Sequence, residues 1–352
     1  MKNSIYVLAE QELQVEKLHL CTWDLRNHNT YVEVGVSIAN AEVLPKSMTL
    51  YLVLPFLSKV CSIRSLHEEL HDNDNYKFIF NEIPENVRAL GGSKHNGSIV
   101  TLSGAGDAKQ RTHLIANATV TQQAAKADSE TKQIVKVTFD NPEDLRGTVG
   151  HLYVRLLIPC SSTTIAEVIS GIAKRTYIFD VKINEARNIP DEVLDFQSQH
   201  DLRRRPVATA YCLHCVPDNY EISFSDGSKL KNIRKLEKSA FQRYLPELRN
   251  IGGEYIITFI KQKDQDSYSF FTTFNREVVG NKQLFVAVVI SLLCNLLFAF
   301  SAFRKELDAE KSLMEQIPPE WWVALGVILL GLLICLPIKG WFLRLWNKWT
   351  GK

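Results

Sequence analysis

The sequence predicts a membrane-anchored protein, with a β-rich, mainly antiparallel α+β head followed by a C-terminal hairpin of two transmembrane helices. Two apolar runs without charge, at 284–303 and 321–338, rise about 30 Å and about 27 Å as helices, which matches the hydrocarbon core of a bilayer. Short alternating or β-branched segments dominate the first 275 residues. The chain therefore divides into a large head and a membrane hairpin over 276–352.

The head is predicted as two subdomains of short strands, separated by turn residues. A polar stretch over 121–132 lacks any apolar period and predicts a loop or seam between a β-rich part, 1–120, and an α+β part, 133–275. A doubly wound nucleotide-binding fold is disfavoured because helices do not alternate with the strands. The predicted strands lie at 4–9, 30–40, 47–57, 76–82, 113–122, 133–140, 151–159, 176–184, 219–225, 254–261 and 267–274.

One helix is predicted in the head, over 228–249, because its apolar residues recur on a single helical stripe. Four cations face away from that stripe, namely Lys231, Arg234, Lys235 and Lys238. They predict a surface for anionic headgroups, a phosphate-bearing ligand or nucleic acid. The alternative interpretation is an ordinary solvated helix face.

The distribution of basic residues predicts the orientation of the hairpin. Seven Lys and Arg residues flank its outer ends, whereas the connecting loop carries three. Because Lys and Arg concentrate on the cytoplasmic side, both termini are predicted to be cytoplasmic in a multi-pass protein of the bacterial inner membrane. Five of the six Trp residues bracket the second run, as expected for rings at the headgroup layers.

Small and polar side chains recur every four residues in the first run, at Ala287, Ser291, Asn295 and Ala299. Such a face allows transmembrane helices to approach closely, and an intramembrane amide gains by finding a partner. The face is predicted to associate with Gly326 and Gly331 of the second run, or with other copies of the chain. Lining an aqueous path is a further alternative.

The sequence predicts no catalytic residue, cofactor or metal site. It contains no nucleophile-elbow, zinc-protease or kinase motif. The pair Cys212 and Cys215 has the spacing of half a zinc site or of a thiol-exchange motif. The alternative is two buried thiols on a strand, since no second cysteine pair accompanies them.

This arrangement of a head without enzyme motifs joined to a terminal two-helix hairpin, 284–303 and 321–338, resembles the two-transmembrane effectors of bacterial anti-phage defence systems, in particular the retron-associated type. The resemblance implies a toxin of abortive infection that compromises the inner membrane. It also implies membrane lipids and a protein or ribonucleoprotein inhibitor encoded nearby as partners. A membrane-tethered adaptor or scaffold without toxic activity and a membrane-surface enzyme are the alternative predictions.

Overall fold

A computed structural model describes most of the chain. The described residues are 4–24, 30–41, 45–57, 59–103, 111–125, 133–140, 150–160, 165–171, 173–187, 189–226, 230–248, 253–278, 281–303, 318, 321–323 and 325–326.

Strands dominate the described residues up to 278. The strands are β1 Tyr6–Ala9, β2 Val15–Asp24, β3 Thr30–Ile38, β4 Ser47–Val53, β5 Arg64–Ser65, β6 Pro84–Ala89, β7 Gly97–Leu102, β8 Arg111–Ala116, β9 Ala118–Gln123, β10 Ile134–Asp140, β11 His151–Cys160, β12 Glu167–Ser170, β13 Lys174–Ile183, β14 Arg203–Arg204, β15 Val207–Pro217, β16 Tyr220–Ser225, β17 Leu230–Leu236, β18 Tyr255–Lys263 and β19 Tyr268–Glu277. The α-helices are α1 Asn73–Phe80, α2 Asp191–Gln199, α3 Lys238–Tyr244 and α4 Asn281–Phe303. Short 3₁₀ turns cover Glu69–His71, Leu90–Gly92, Lys94–Asn96 and Pro246–Leu248.

The strands form three sheets. The large sheet has ten strands in the order β17-β18-β15-β2-β3-β11-β8-β7-β6, with β5 beside β11. Its neighbours are antiparallel except for the parallel pairs β2 with β15 and β8 with β11. A five-stranded sheet has the order β14-β1-β4-β10-β9, and a four-stranded sheet the order β12-β13-β19-β16.

The main core lies between the large sheet and the two smaller sheets. Successive side chains of a strand point to opposite faces, so Leu18 and Leu20 of β2 enter this core while His19 and Cys21 face the other way. The smaller sheets contribute Leu50, Val137 and Phe179 to the same core. The architecture is therefore a sandwich of sheets, whose two layers share their apolar faces.

Helices cover the outer faces of the sandwich only in part. Val193 and Phe196 of α2 pack with Tyr6 and Leu8 on the five-stranded sheet. On the far face of the large sheet, Tyr76 of α1 and Phe241 and Tyr244 of α3 pack with Trp23. The part of that face away from Trp23 stays open, and it carries the candidate site described below.

Contacts divide the chain into two compact units, one of Met1–Ser170 with Arg175–Arg276 and one of Gly171–Lys174 with Glu277–Lys352. Strands from both predicted subdomains share sheets within the first unit, since β2 pairs with β15 and β4 with β10. Residues 1–120 and 133–275 thus do not form separate cores. Of the predicted seam, 121–123 belong to β9, and 126–132 lie outside the described residues.

The predicted transmembrane hairpin is wrong for the part of the chain that the structure describes. Helix α4 lies on the first apolar run, but across the described residues no helix combines the length and apolar character needed to cross a membrane. Beyond Gly326 the second run lies outside the described residues. The predicted multi-pass inner-membrane location, with both termini in the cytoplasm, depends on that hairpin and is therefore wrong as well.

The predicted helix over 228–249 is wrong in its first half, which is strand β17. Backbone pairing with β18 along Leu230 to Leu236 satisfies the peptide groups in a sheet instead of a helix. Helix α3 follows, and it ends before Pro246, which cannot donate a backbone hydrogen bond.

The strand predicted over 76–82 is also wrong, because most of it lies in α1. The side chain of Asp72 accepts hydrogen bonds from the backbone N–H groups of Asp74 and Asn75, and so caps the helix. A capping carboxylate thus selects helix for a segment whose own composition favours a strand.

Candidate functional site

The open part of the large sheet carries a row of three rings on neighbouring strands, Phe259 on β18, Tyr211 on β15 and His19 on β2, called here the aromatic row. The Phe259 and Tyr211 rings stack at 5.6 Å between centroids and 27° between planes. The His19 ring meets Tyr211 edge-on, at 4.8 Å and 82°. All three side chains are half-buried, so each ring keeps an exposed part.

Strand register brings the aromatic row together. In the parallel pair β2 and β15, His19 lies opposite Tyr211, and in the antiparallel pair β15 and β18, Leu213 lies opposite Phe259. Positions two apart share a face, so His19, Tyr211 and Phe259 all point away from the main core. The row therefore joins residues that are far apart in the sequence.

Two lysines lie over the stacked rings. Lys231 Nζ lies 5.4 Å from the centroid of Phe259, and Lys261 Nζ lies 5.4 Å from that of Tyr211. These distances are within the range of cation–π attraction. Neither ammonium group has an ion-pair partner among the described residues, so both charges remain available to an anion. The aromatic row with Lys231 and Lys261 is called here the basic-aromatic face.

Two more lysines extend the positive charge along the same face. Lys17 is two residues from His19 on β2, and Lys263 is two residues from Lys261 on β18. Both lysines pair with Thr209 of β15, which lies between them. Both have acidic neighbours, since Lys17 Nζ is 3.2 Å from Glu16 and Lys263 Nζ is 3.6 Å from Asp264. They contribute less to the net charge of the face than Lys231 and Lys261.

A buried polar network lies behind the His19 end of the row. Arg155 and Glu33 form an ion pair with Nε to Oε2 at 2.5 Å, and their side chains are 4% and 0% exposed. The other donors to Glu33 are Trp23 Nε1 at 2.6 Å and the Tyr244 hydroxyl at 2.9 Å. Every member is hydrogen-bonded, which is what a charged pair requires away from water.

The network reaches His19 through Tyr153. Arg155 donates to the Tyr153 hydroxyl at 2.8 Å, and that hydroxyl lies 3.0 Å from His19 Nδ1. Burial, followed by the positive charges of Arg155 and Lys17, lowers the pKa of His19 to about 3. The imidazole is therefore neutral at physiological pH, and the row contains no third cation.

A glycine makes room for this connection. An added Cβ at Gly35, which lies opposite His19 on β3, would be 2.2 Å from the Tyr153 hydroxyl oxygen and 3.3 Å from the His19 Cβ. Tyr153 is buried and held by Arg155, so it cannot move away at little cost. The sequence TYVEVGVSI therefore needs a residue without a side chain at this position.

We expect Gly35→Ala to lower the free energy of unfolding by about 1 to 3 kcal/mol, as overpacking of a filled site does. Urea denaturation monitored by tryptophan fluorescence measures this. Gly150→Ala is the matched control, because among the described residues no atom beyond its chain neighbours lies within 4 Å of its added Cβ. Equal stability of the two variants would contradict the close packing of the Tyr153 hydroxyl against Gly35.

The four cations predicted on a helix are placed differently by the structure. Lys231, Arg234 and Lys235 are exposed on β17, and Lys238 is exposed at the start of α3. Lys235 Nζ pairs with Glu254 at 2.5 Å, which neutralises one of them. Lys231 is the predicted cation that the structure brings to the aromatic row.

The cysteine pair is placed on one strand, β15. A spacing of three in a strand puts Cys212 and Cys215 on opposite faces, Cys212 in the main core and Cys215 beside Cys21 at 3.9 Å between sulfurs. Burial raises the pKa of both thiols. Two side chains on opposite faces cannot bind one ion, and no group of metal-ligating side chains lies within the described ranges.

The small-residue face of the first apolar run is present on α4, where Ala287, Ser291, Asn295 and Ala299 are all exposed. Gly326 is also exposed, whereas Gly331 lies outside the described residues. Their predicted association inside a membrane depends on the hairpin that is corrected above. These residues therefore contribute nothing to the candidate site.

Sequence reasoning missed His19, Tyr211 and Phe259. Tyr211 and Phe259 are aromatic residues at alternating positions of YCLHC and EYIITFIK, and this pattern places a ring on the face opposite the core. The signal was available within each segment. The proximity of the three rings was not, because β2 and β15 are separated by more than 180 residues.

No protein-family model matches this sequence, and no curated protein matches it.

Proposed function

We propose that this chain is a binding protein, without catalytic activity, whose basic-aromatic face holds single-stranded nucleic acid. The observation that carries the proposal is the stacked pair Tyr211 and Phe259 with a lysine ammonium 5.4 Å from each ring. Nonspecific single-strand sites combine rings on which bases stack with cations that follow the phosphates.

The shape and chemistry of the face favour this ligand over other anions. The exposed parts of these two rings can contact the faces of unpaired bases, which a duplex hides in its stack. Lysine side chains carry several rotatable bonds, which lets the ammonium groups turn from ring to phosphate when a strand arrives.

Fluorescence anisotropy with labelled 12-nucleotide single strands of RNA and DNA tests the proposal on the full chain. We expect Tyr211→Leu and Phe259→Leu each to weaken binding by about 1 to 3 kcal/mol, the usual contribution of one stacked base. Lys231→Gln and Lys261→Gln should each reduce the slope of log affinity against log salt by about 0.7, because each removes one phosphate contact.

The chain offers a matched control pair of exposed rings. Phe224 and Phe271 lie 5.8 Å apart on the four-stranded sheet and are 52% and 42% exposed. Replacing either with Leu should leave affinity unchanged. A parent chain that binds no single strand, or that binds duplex or anionic vesicles equally well, would contradict the proposal, as would equal loss from the control variants.

A further inference from the structure

The buried network ends on the one ring of the aromatic row that has a fixed hydrogen-bonding edge. Phe259 has no polar atom, and the Tyr211 hydroxyl rotates freely about its C–O bond. The His19 imidazole is fixed by Tyr153, which is in turn fixed by Arg155 and Glu33. A chain of hydrogen bonds that begins at the buried ion pair of Glu33 and Arg155 therefore terminates at a half-buried side chain beside the stacking surface.

The direction of the hydrogen bonds assigns the tautomer of His19. Arg155 carries only donors, so the Tyr153 oxygen accepts from Arg155. Among the described residues, His19 Nδ1 is the one acceptor within hydrogen-bond distance of the Tyr153 hydroxyl, so the hydroxyl donates its proton to Nδ1. A neutral imidazole whose Nδ1 accepts carries its proton on Nε2. Among the described residues, Nε2 has no hydrogen-bond partner.

The orientation of the ring places His19 at the end of the stacking surface. Its plane is nearly perpendicular to that of Tyr211, at 82°, whereas Tyr211 and Phe259 are nearly parallel. On its other side, the Tyr153 and Phe80 rings close the row at 5.7 Å and 6.4 Å. A base stacked parallel to Tyr211 thus lies nearly perpendicular to the imidazole, beside its ring.

We propose that His19 is a specificity residue that donates a hydrogen bond to a keto oxygen of the base stacked on Tyr211, with Tyr153 as its positioning residue. This inference rests on the proposed function of the face. A fixed N–H donor pairs with the O4 of uracil or thymine and the O6 of guanine, and it meets another donor at the amino groups of cytosine and adenine. Burying the charges of Arg155 and Glu33 is energetically costly. In this proposal, the network they form holds the Nε2–H donor of His19 in place.

Uracil and cytosine provide the sharpest comparison, because they have the same ring size and differ at position 4 in the group that His19 would contact. We expect the full chain to bind a 12-nucleotide oligouridine about five-fold more tightly than oligocytidine, the factor that corresponds to one hydrogen bond. His19→Leu keeps the packing and should bring the ratio to about one.

Tyr153→Phe tests the positioning role, since it keeps His19 and removes the hydroxyl that orients it. We expect the uridine-to-cytidine ratio to fall in this variant while the affinity for oligocytidine stays within two-fold of the parent. If Tyr153→Phe does not fold, His19→Leu still reports the uridine-to-cytidine ratio, because His19 is only half-buried. The matched control His95→Leu, at an exposed histidine off the aromatic row, should keep the parent ratio.

The outcomes separate this inference from the proposed function. Equal binding of the two oligonucleotides, a preference for cytidine, or a preference that His19→Leu retains would overturn the role of His19 and leave the single-strand site standing. A parent chain that binds neither oligonucleotide would overturn both.

Discussion

Acidification from pH 7 to pH 5 should lower the free energy of unfolding by about 6 kcal/mol, because burial holds three histidines, His19, His113 and His214, neutral in the folded chain. Burial lowers the pKa of His214 to about 3. Burial, followed by the positive charge of His151, lowers that of His113 to about 4. The His214 ring packs against the Phe179 and Phe274 rings, with distances of 4.5 Å and 6.0 Å between ring centroids.

The sign follows from proton binding. Below the unfolded value of 6.5, the unfolded chain binds more protons than the folded one, so stability falls as the pH falls. Each histidine contributes up to about 1.4 kcal/mol per pH unit until its folded pKa is reached. Carboxylates with a lowered pKa, such as Glu16 beside His151, lose their stabilisation only below the ordinary carboxyl pKa of 4.5. The window from pH 7 to pH 5 therefore reports the histidines.

Urea denaturation at pH 7, 6 and 5 measures the effect. His214→Leu should remove about a third of the pH dependence. Thr22→Val is the matched control, because it removes the hydroxyl 2.8 Å from His214 Nδ1 and keeps the titrating group, so it should lower stability at each pH without changing the slope. A stability that stays flat from pH 7 to pH 5 would contradict the neutral burial of these imidazoles.

Arg155→Met should lower the free energy of unfolding by about 3 to 5 kcal/mol, the usual cost of leaving one partner of a buried ion pair uncompensated. The Glu33 carboxylate is fully buried and would keep only its donors Trp23 and Tyr244. Two neutral donors stabilise a buried carboxylate less than a guanidinium does.

The double variant Glu33→Gln with Arg155→Met separates lost charge from lost packing. It removes both charges and keeps a side chain that accepts from Trp23 or Tyr244, so it should be more stable than Arg155→Met alone. Equilibrium unfolding of the three chains at pH 7 measures the difference. A double variant that is less stable than the single one would show that packing of the arginine stem, not its charge, dominates.

Local periodicity predicted many of the strands within a few residues. The segments 133–140, 151–159 and 254–261 lie on β10, β11 and β18. Each alternates or is β-branched, so the pattern is set by the residues themselves. The two central strands β2 and β15 were not predicted, because polar and aromatic residues interrupt their apolar positions.

The candidate site was harder to predict than the strands. Lys231 was identified as part of a basic surface, but on a helix, since its segment fits a helical stripe as well as an edge strand. The choice between the two depends on the unpaired backbone of β18, which lies more than twenty residues away and offers hydrogen bonds that no local pattern contains.

The sequence by itself determined the β-rich character of the first unit and the cluster of cations near residue 231, because alternation and charge are local properties. The tertiary structure decided that β2 lies beside β15, which brings His19 to Tyr211, and that Gly35 admits Tyr153 to His19. It also corrected the membrane hairpin within the described residues. The physical reason is that strand pairing satisfies backbone groups between distant segments, so the neighbours of a side chain on a sheet depend on register and not on sequence distance.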